Sequence, residues 1–165
     1  MGRLRYWRRR WSVDHAPLLQ SIYRFLEGWL VRLDPLWRRL GYSRLEMPFA
    51  LTEKVVKGVL FDCQMCGQCA LSQTGMSCPM NCPKSLRYGP CGGVRADGRC
   101  EVKPDMPCVW VEAWRGKQLL GDNDQALLPD VPVDFRLRGK SSWLREVQLR
   151  VKAQAEADKR VERSP

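Results

Sequence analysis

The strongest constraint on this chain is its cysteines, because all eight of them lie within 46 of its 165 residues. Thiols at this density cross-link a chain locally, either as disulfides or as ligands of a metal or cluster. The segment that carries them must therefore fold around sulfur. The eight residues are Cys63, Cys66, Cys69, Cys78, Cys82, Cys91, Cys100 and Cys108.

The amino terminus favours one of these two uses of sulfur. No apolar segment and no small-residue cleavage site follow the arginines of MGRLRYWRRRWSVDHAP, so no export signal is predicted. We therefore expect a cytoplasmic protein in a reducing environment. Clustered cysteines serve there more often as metal or cluster ligands than as disulfides.

The spacing of the first three cysteines, Cys63-x2-Cys66-x2-Cys69, begins the bacterial ferredoxin pattern for a [4Fe–4S] cube. The fourth thiolate of that pattern often precedes proline, and Cys78 and Cys82 are both followed by proline. Spacing alone leaves open which cysteine completes the trio. Glycines supply the tight bends and the close backbone approach that such loops need. We predict all eight cysteines as metal ligands and Gly67, Gly92 and Gly93 as cofactor-binding residues.

Zinc is the alternative ligand, because four thiolates in a tetrahedron form a closed structural site. Common zinc modules use two separate C-x2-C pairs, whereas this chain has one C-x2-C-x2-C run and its single histidine, His15, is remote. The spacing therefore favours iron–sulfur. Eight thiolates are enough for two four-cysteine sites, so two clusters, or one cluster and one zinc, are both allowed.

Other catalytic machinery is not predicted. The sequence contains no nucleophile elbow, no phosphate-binding loop of the Walker type and no dinucleotide-binding glycine motif. The chain is also too short for a barrel enzyme with its own cofactor pocket. No catalytic residue is assigned, and any redox activity is expected to depend on the cluster.

Three amphipathic helices are predicted before the cysteines. Apolar residues recur at spacings of three and four over 18–33, so a helix should begin at Ala16. Asp34-Pro35 is typical of an N-cap followed by a first-turn proline, and Gly41 should end that short helix. A third helix is expected over about 51–60. Its apolar side is Val55, Val56, Val59 and Leu60, and its polar side is Glu53, Lys54 and Lys57.

Regular structure is sparser after the first cysteine. The Asp97-Gly98 pair favours the positive φ of a tight turn, so one short hairpin is predicted over 94–102. A helix capped by Asp105 should follow over 108–114. The tail from Ser141 favours helix, and its apolar stripe is thin enough that we expect it to dock rather than to form a domain.

These elements predict a small, mainly α protein with irregular Cys-rich loops and one short β-hairpin, whose folding depends on a bound metal or cluster. Three segments are expected. They are a basic N-terminal arm with amphipathic helices over 1–49, a Cys-rich iron–sulfur or zinc domain over 50–116, and a connector with a C-terminal helix over 117–165.

The basic arm is the main source of the net charge of +10. A phosphate-gripping or membrane-surface arm is one interpretation, because arginine pairs with phosphate and tryptophan inserts into interfaces. The favoured interpretation is a solvated tail that docks its two tryptophans on a partner or on its own core. Nucleic acid is disfavoured because no recognition fold follows. The arm comprises Arg3, Arg5, Arg8, Arg9 and Arg10, interleaved with Tyr6, Trp7 and Trp11.

From Phe61 to Trp114 the chain resembles the methylenetetrahydrofolate reductase C-terminal-like domain family. Tyr88 departs from the pattern, since asparagine is expected before the Gly-Pro-Cys motif. The motifs that carry the resemblance are Cys78-Pro79-Met80-Asn81-Cys82-Pro83-Lys84, Gly89-Pro90-Cys91-Gly92-Gly93 and Cys100-Glu101-Val102.

The resemblance implies an accessory subunit in one-carbon metabolism. Its eight cysteines are expected to bind iron–sulfur, and in one form of this hypothesis zinc as well. Its expected partner is a reductase-type barrel flavoprotein or a methyltransferase. The subunit is expected to relay electrons to this partner or to stabilise it. The chain has no room for the flavin barrel, so it is expected to be a subunit of an oxidoreductase and not a complete enzyme. The rival hypothesis is a redox-silent structural zinc module that acts as a protein-interaction scaffold.

Overall fold

The computed structural model describes residues 2–121 and 132–162, and within these ranges the protein is mainly helical, as predicted. The dependence of the fold on a metal stays a prediction. No helix in the described ranges is long and apolar enough to cross a membrane. The helices are α1 (Gly2–Asp14), α2 (Ala16–Arg32), α3 (Asp34–Leu40), α4 (Tyr42–Phe61), α5 (Val109–Leu119) and α6 (Ser142–Glu162), and single 3-10 turns occupy Pro79–Asn81 and Phe135–Leu137.

The basic N-terminal arm is a helix, so the expectation of a solvated tail is wrong. Helix α1 packs against α4 and α5. Ser12 is buried and its hydroxyl donates to the carbonyl of Leu60 at 2.5 Å. Arg9 Nε donates at 3.0 Å to Oδ2 of Asp62, the C-cap residue of α4. The predicted docking of the tryptophans on the protein's own core is confirmed for Trp11, which packs against the core, and is wrong for Trp7, which is exposed.

Helices α2 and α3 begin and end close to where the sequence predicts. Gly41, with φ +88°, ends α3 as expected. The predicted cap is wrong: Leu33 occupies the N-cap position, and Asp34 lies inside the helix. Its carboxylate is 2.7 Å from Arg38 and also accepts a hydrogen bond from Tyr42.

Helix α4 differs most from the prediction, in both length and orientation. It begins at Tyr42 instead of about residue 51 and contains Pro48. Its charged residues face inward, since Glu53 and Lys57 are 2% and 1% exposed, whereas Val55 and Val59 are exposed. The two charges lie one helical turn apart and neutralise each other, which lowers the cost of burying them.

Helix α6 docks on the rest of the chain, as its thin apolar stripe predicts. Leu144 and Val147 are buried, and the helix packs against α2 and α4. Ser141 caps it, because its hydroxyl accepts from the amide of Leu144 at 3.3 Å. On α2, in contrast, the apolar face is only partly covered. Leu30 packs with Trp37 and Val147, whereas Phe25 remains 77% exposed.

The predicted hairpin is present in minimal form, as isolated antiparallel bridges. Val94 pairs with Cys100, and Arg99 pairs with Pro107. Gly98 adopts the expected positive φ of 76° at the turn. Helix α5 follows at Val109, but Cys108 and not Asp105 precedes it, and no side chain caps it.

A glycine-to-glycine contact brings the loop after the third cysteine against α5. A Cβ on Gly116 would overlap the backbone carbonyl of Gly75, and a Cβ on Gly75 would overlap the backbone at residues 116–117. Neither position has room for a side chain. The crossing therefore fixes how closely the Cys-rich loop approaches α5.

We predict that Gly116→Ala destabilises the protein by about 1–3 kcal/mol, because the added methyl forces two backbones apart. The matched control is Gly28→Ala on α2, where nothing lies within 4 Å of the added Cβ. That change should stabilise the helix by about 0.5–1 kcal/mol. Urea unfolding of both variants measures the difference, and equal stabilities would contradict the proposed crossing.

Candidate metal centre

Four cysteines line one cavity at the end of α4. Cys63, Cys66 and Cys69 lie on the loop that follows the helix, and Cys78 precedes the 3-10 turn Pro79–Asn81. The cavity is small, about 20 Å³. The structure thus places Cys78 with the trio, a choice that spacing alone leaves open.

The chain turns into this cavity through a left-handed residue. Asp62, with φ 52°, ends α4, and the amide of Cys63 donates to the carbonyl of Lys57 at 3.2 Å. Met65 also has a positive φ, of 48°. These bends point the loop back across the end of the helix, so that sulfurs spaced three residues apart border the same space.

Two of the four sulfurs, those of Cys63 and Cys66, accept a hydrogen bond. Such bonds stabilise the charged form of a thiol and are typical of sulfur ligands. The pairs are the Met65 amide with Cys63 Sγ at 3.3 Å and Arg87 Nη1 with Cys66 Sγ at 3.8 Å. Burial and then the neighbouring Cys69 raise the pKa of the Tyr23 hydroxyl.

Burial opposes the same thiolates. It raises the pKa of Cys63 to about 11, although the Met65 amide lowers it. Burial also raises the pKa of Cys78, and the neighbouring Cys63 adds to the shift. These two thiols therefore keep their protons at neutral pH. A metal or cluster would displace those protons on binding.

Two buried cations share the cavity with the cysteines. Lys57 and Arg87 both line it and are 1% and 6% exposed. Lys57 Nζ donates to Glu53 Oε1 at 2.8 Å and to Ser142 Oγ at 2.9 Å. Arg87 Nη2 donates to the carbonyl of Gln68 at 2.8 Å. The lining thus holds two cations and a single carboxylate, that of Glu53.

The residues present fit an anionic iron–sulfur cluster in their chemistry. Thiolates are the ligands that such clusters and zinc prefer. The one cation in excess of the carboxylate, Arg87, offsets part of the negative charge of thiolate ligands, and its Nε is buried with no partner among the described residues. Within 2–121 and 132–162, however, no three Cys, His, Asp or Glu side chains converge closely enough to hold one metal ion.

The other four cysteines lie toward the hairpin. Cys82 ends the 3-10 turn, Cys100 and Cys108 are buried, and Cys91 is exposed. Cys91 Sγ accepts from the amide of Gly93 at 3.4 Å and lies 3.8 Å from Glu101. The eight cysteines therefore do not form a single site, and only the first group surrounds a described cavity.

The three glycines predicted to contact a cofactor have different surroundings. Gly67 lines the four-cysteine cavity, but a Cβ there would overlap the carbonyl of Leu137, so packing requires this glycine. Gly93 supplies its amide to Cys91, and Gly92, with φ +74°, borders open space. Their predicted contact with a cofactor stays a prediction.

A comparison with protein families found one match, over residues 42–136, to the family described as methylene-tetrahydrofolate reductase C terminal. The chain belongs to this family. The match covers more than half of the chain and includes all eight cysteines. Searches of curated proteins and of solved structures found no match.

The family segment contains every residue that lines the cavity except Ser142. It begins at Tyr42, the first residue of α4, and so includes Glu53 and Lys57. It ends inside the turn Phe135–Leu137, which packs on Gly67. The sequence resemblance over 61–114 therefore covers the ligands but omits part of the structure that surrounds them.

Several residues of the site were not predicted from sequence. Lys57 and Glu53 were assigned to a polar face, and their i, i+4 spacing was the available signal that they form an ion pair. Tyr23 of α2 reaches Cys69 from 46 positions away in the chain. Arg87 was not singled out. The roles of these four residues depend on burial and on contacts between distant segments, which the spacing of residues in the sequence does not show.

We predict that Glu53→Ala destabilises the fold by about 3–5 kcal/mol, because it leaves the ammonium of Lys57 buried without its carboxylate. The control is Glu146→Ala, which removes a partly exposed pair with Arg150 and should cost less than about 1 kcal/mol. Thermal and urea unfolding test both. A Glu53→Ala variant as stable as the control would show that the pair is not structurally important.

Proposed function

We propose that this protein is an iron–sulfur accessory subunit that relays electrons to a methylenetetrahydrofolate reductase-type flavoprotein. The observation that carries the proposal is the cavity lined by Cys63, Cys66, Cys69 and Cys78, in which the Met65 amide donates to Cys63 and the Arg87 guanidinium donates to Cys66. Membership of the reductase C-terminal family supports the choice of partner.

The four-cysteine cavity supports a cube over a single ion on two grounds. The trio has the ferredoxin spacing, and the fourth cysteine is followed by proline, as in that pattern. The cavity wall also carries Arg87, a buried cation without a carboxylate partner among the described ion pairs, which offsets part of the negative charge of a thiolate-bound cluster. A bound cluster would supply one-electron transfer.

The chain's own residues would hold this group. Ser142 of α6 lines the cavity, so the start of the C-terminal helix forms part of its wall. Met65 borders both the cavity and an open groove formed with Met47 and Leu51 of α4. The cavity that the four cysteines line therefore lies one side chain away from this groove, which suits exchange of electrons with a docked protein.

Cys82, Cys91, Cys100 and Cys108 would form a second four-thiolate site, for zinc or for another cluster. Two of these cysteines lie at the hairpin, where Cys100 N donates to Met106 O and Cys108 N donates to Gly98 O, both at 3.0 Å. A site held by such a hairpin would stabilise the fold whichever metal occupies it.

We expect anaerobically purified protein to contain about four iron atoms and four sulfides per cluster, with an iron–thiolate charge-transfer band that bleaches on reduction. Metal and sulfide analysis, together with absorption spectra, tests this. About two zinc ions per chain with negligible iron would reject electron relay and select the structural zinc scaffold.

We predict that Cys66→Ser removes the iron of the first site and lowers the melting temperature markedly. Metal ligation in a small domain contributes folding free energy on the order of 10 kcal/mol. Cys91→Ser, at the exposed cysteine of the other group, is the matched control and should keep the iron of the first site. Full iron content in Cys66→Ser would contradict the assignment.

A further inference from the structure

Two positively charged side chains, Lys57 and Arg87, are buried in the wall of the four-cysteine cavity. Neither is one of the proposed ligands. This inference rests on the proposed function, since it concerns what these charges do to a bound cluster. Arg87 and Lys57 approach from different parts of the chain, a loop and α4, and both line the same space as Cys66.

Arg87 is oriented toward sulfur. Its Nη1 lies 3.8 Å from Cys66 Sγ, and its Nη2 is held by the carbonyl of Gln68 at 2.8 Å. No carboxylate pairs with it among the ion pairs of the described residues. Its Nε is buried without a hydrogen-bond partner in the described part of the chain. A buried donor of a charged group is costly to leave unpaired, so this N–H indicates an acceptor in the cavity.

Lys57 differs because its charge is already balanced. Glu53 accepts from its Nζ, and the rings of Tyr23 and Trp143 lie 5.5 and 5.1 Å from the same nitrogen. The Glu53–Lys57 pair is close to neutral as a unit. The unbalanced charge at the cavity wall is therefore that of Arg87.

We propose that Arg87 is a positioning residue that raises the reduction potential of a cluster held by Cys63, Cys66, Cys69 and Cys78, with its free Nε–H donating to the cluster. Reduction adds one electron to the site and makes its charge more negative by one unit. A fixed cation beside it stabilises the reduced form more than the oxidised form. Burial strengthens the effect, because little solvent screens the charge.

The test is a redox titration of the iron-loaded, full-length protein with dithionite and mediators, followed by absorption and electron paramagnetic resonance. Arg87→Gln should make reduction at least about tenfold less favourable, a downward shift of about 59 mV for a one-electron couple. Arg87→Lys keeps the charge and should restore much of that shift. Arg39→Gln removes an exposed charge on α3 and should leave the potential unchanged.

Glu53→Gln provides a test that does not depend on Arg87 variants holding iron. It removes the one carboxylate of the lining while keeping an acceptor, so the potential should rise. An unchanged or lower potential in Glu53→Gln, or an unchanged potential in iron-loaded Arg87→Gln, overturns the inference and leaves the proposed function standing. Wild-type protein without iron or sulfide overturns the proposed function itself.

Discussion

The carboxylate of Glu53 joins two parts of the chain, α4 and the start of α6, at one buried point. It accepts from Lys57 one turn along α4, from the hydroxyl of Ser141 at 2.9 Å, and from the amide of Trp143 at 3.3 Å in the first turn of α6. A carboxylate at a helix N-terminus also interacts favourably with the helix dipole. The position of α6 and the charge on the cavity wall therefore depend on the same side chain.

This arrangement explains why α4 turns its valines outward. A helix with both an apolar and a charged face usually buries the apolar one. Here the charged face meets the cysteine loop and the start of α6, where donors and acceptors satisfy it, and Ser142 completes the contact with Lys57. Val55 and Val59 are left exposed as a consequence. Hydrogen-bond satisfaction outweighs hydrophobicity at this face.

Local patterns predicted the local features of the structure. The periodicity over 18–33 predicted α2, Gly41 predicted the end of α3, and Asp97-Gly98 predicted the hairpin turn, because each depends on neighbours in sequence. The position of the first three cysteines directly after a helix was predicted in the same way, because the expected helix ends at about residue 60 and α4 ends at Phe61. The inward face of α4 and the approach of Tyr23 to Cys69 could not be predicted. They depend on contacts between segments that are distant in sequence.

The order in which the chain is synthesised gives the cavity a further property. Its lining runs from Glu53 of α4 to Ser142 of α6, two residues 89 positions apart in the chain. While the ribosome is still making the connector, the four thiols lie beside an unfinished wall, and Lys57 has yet to meet Ser142. The wall of this cavity can therefore be complete only after residue 142 has been synthesised.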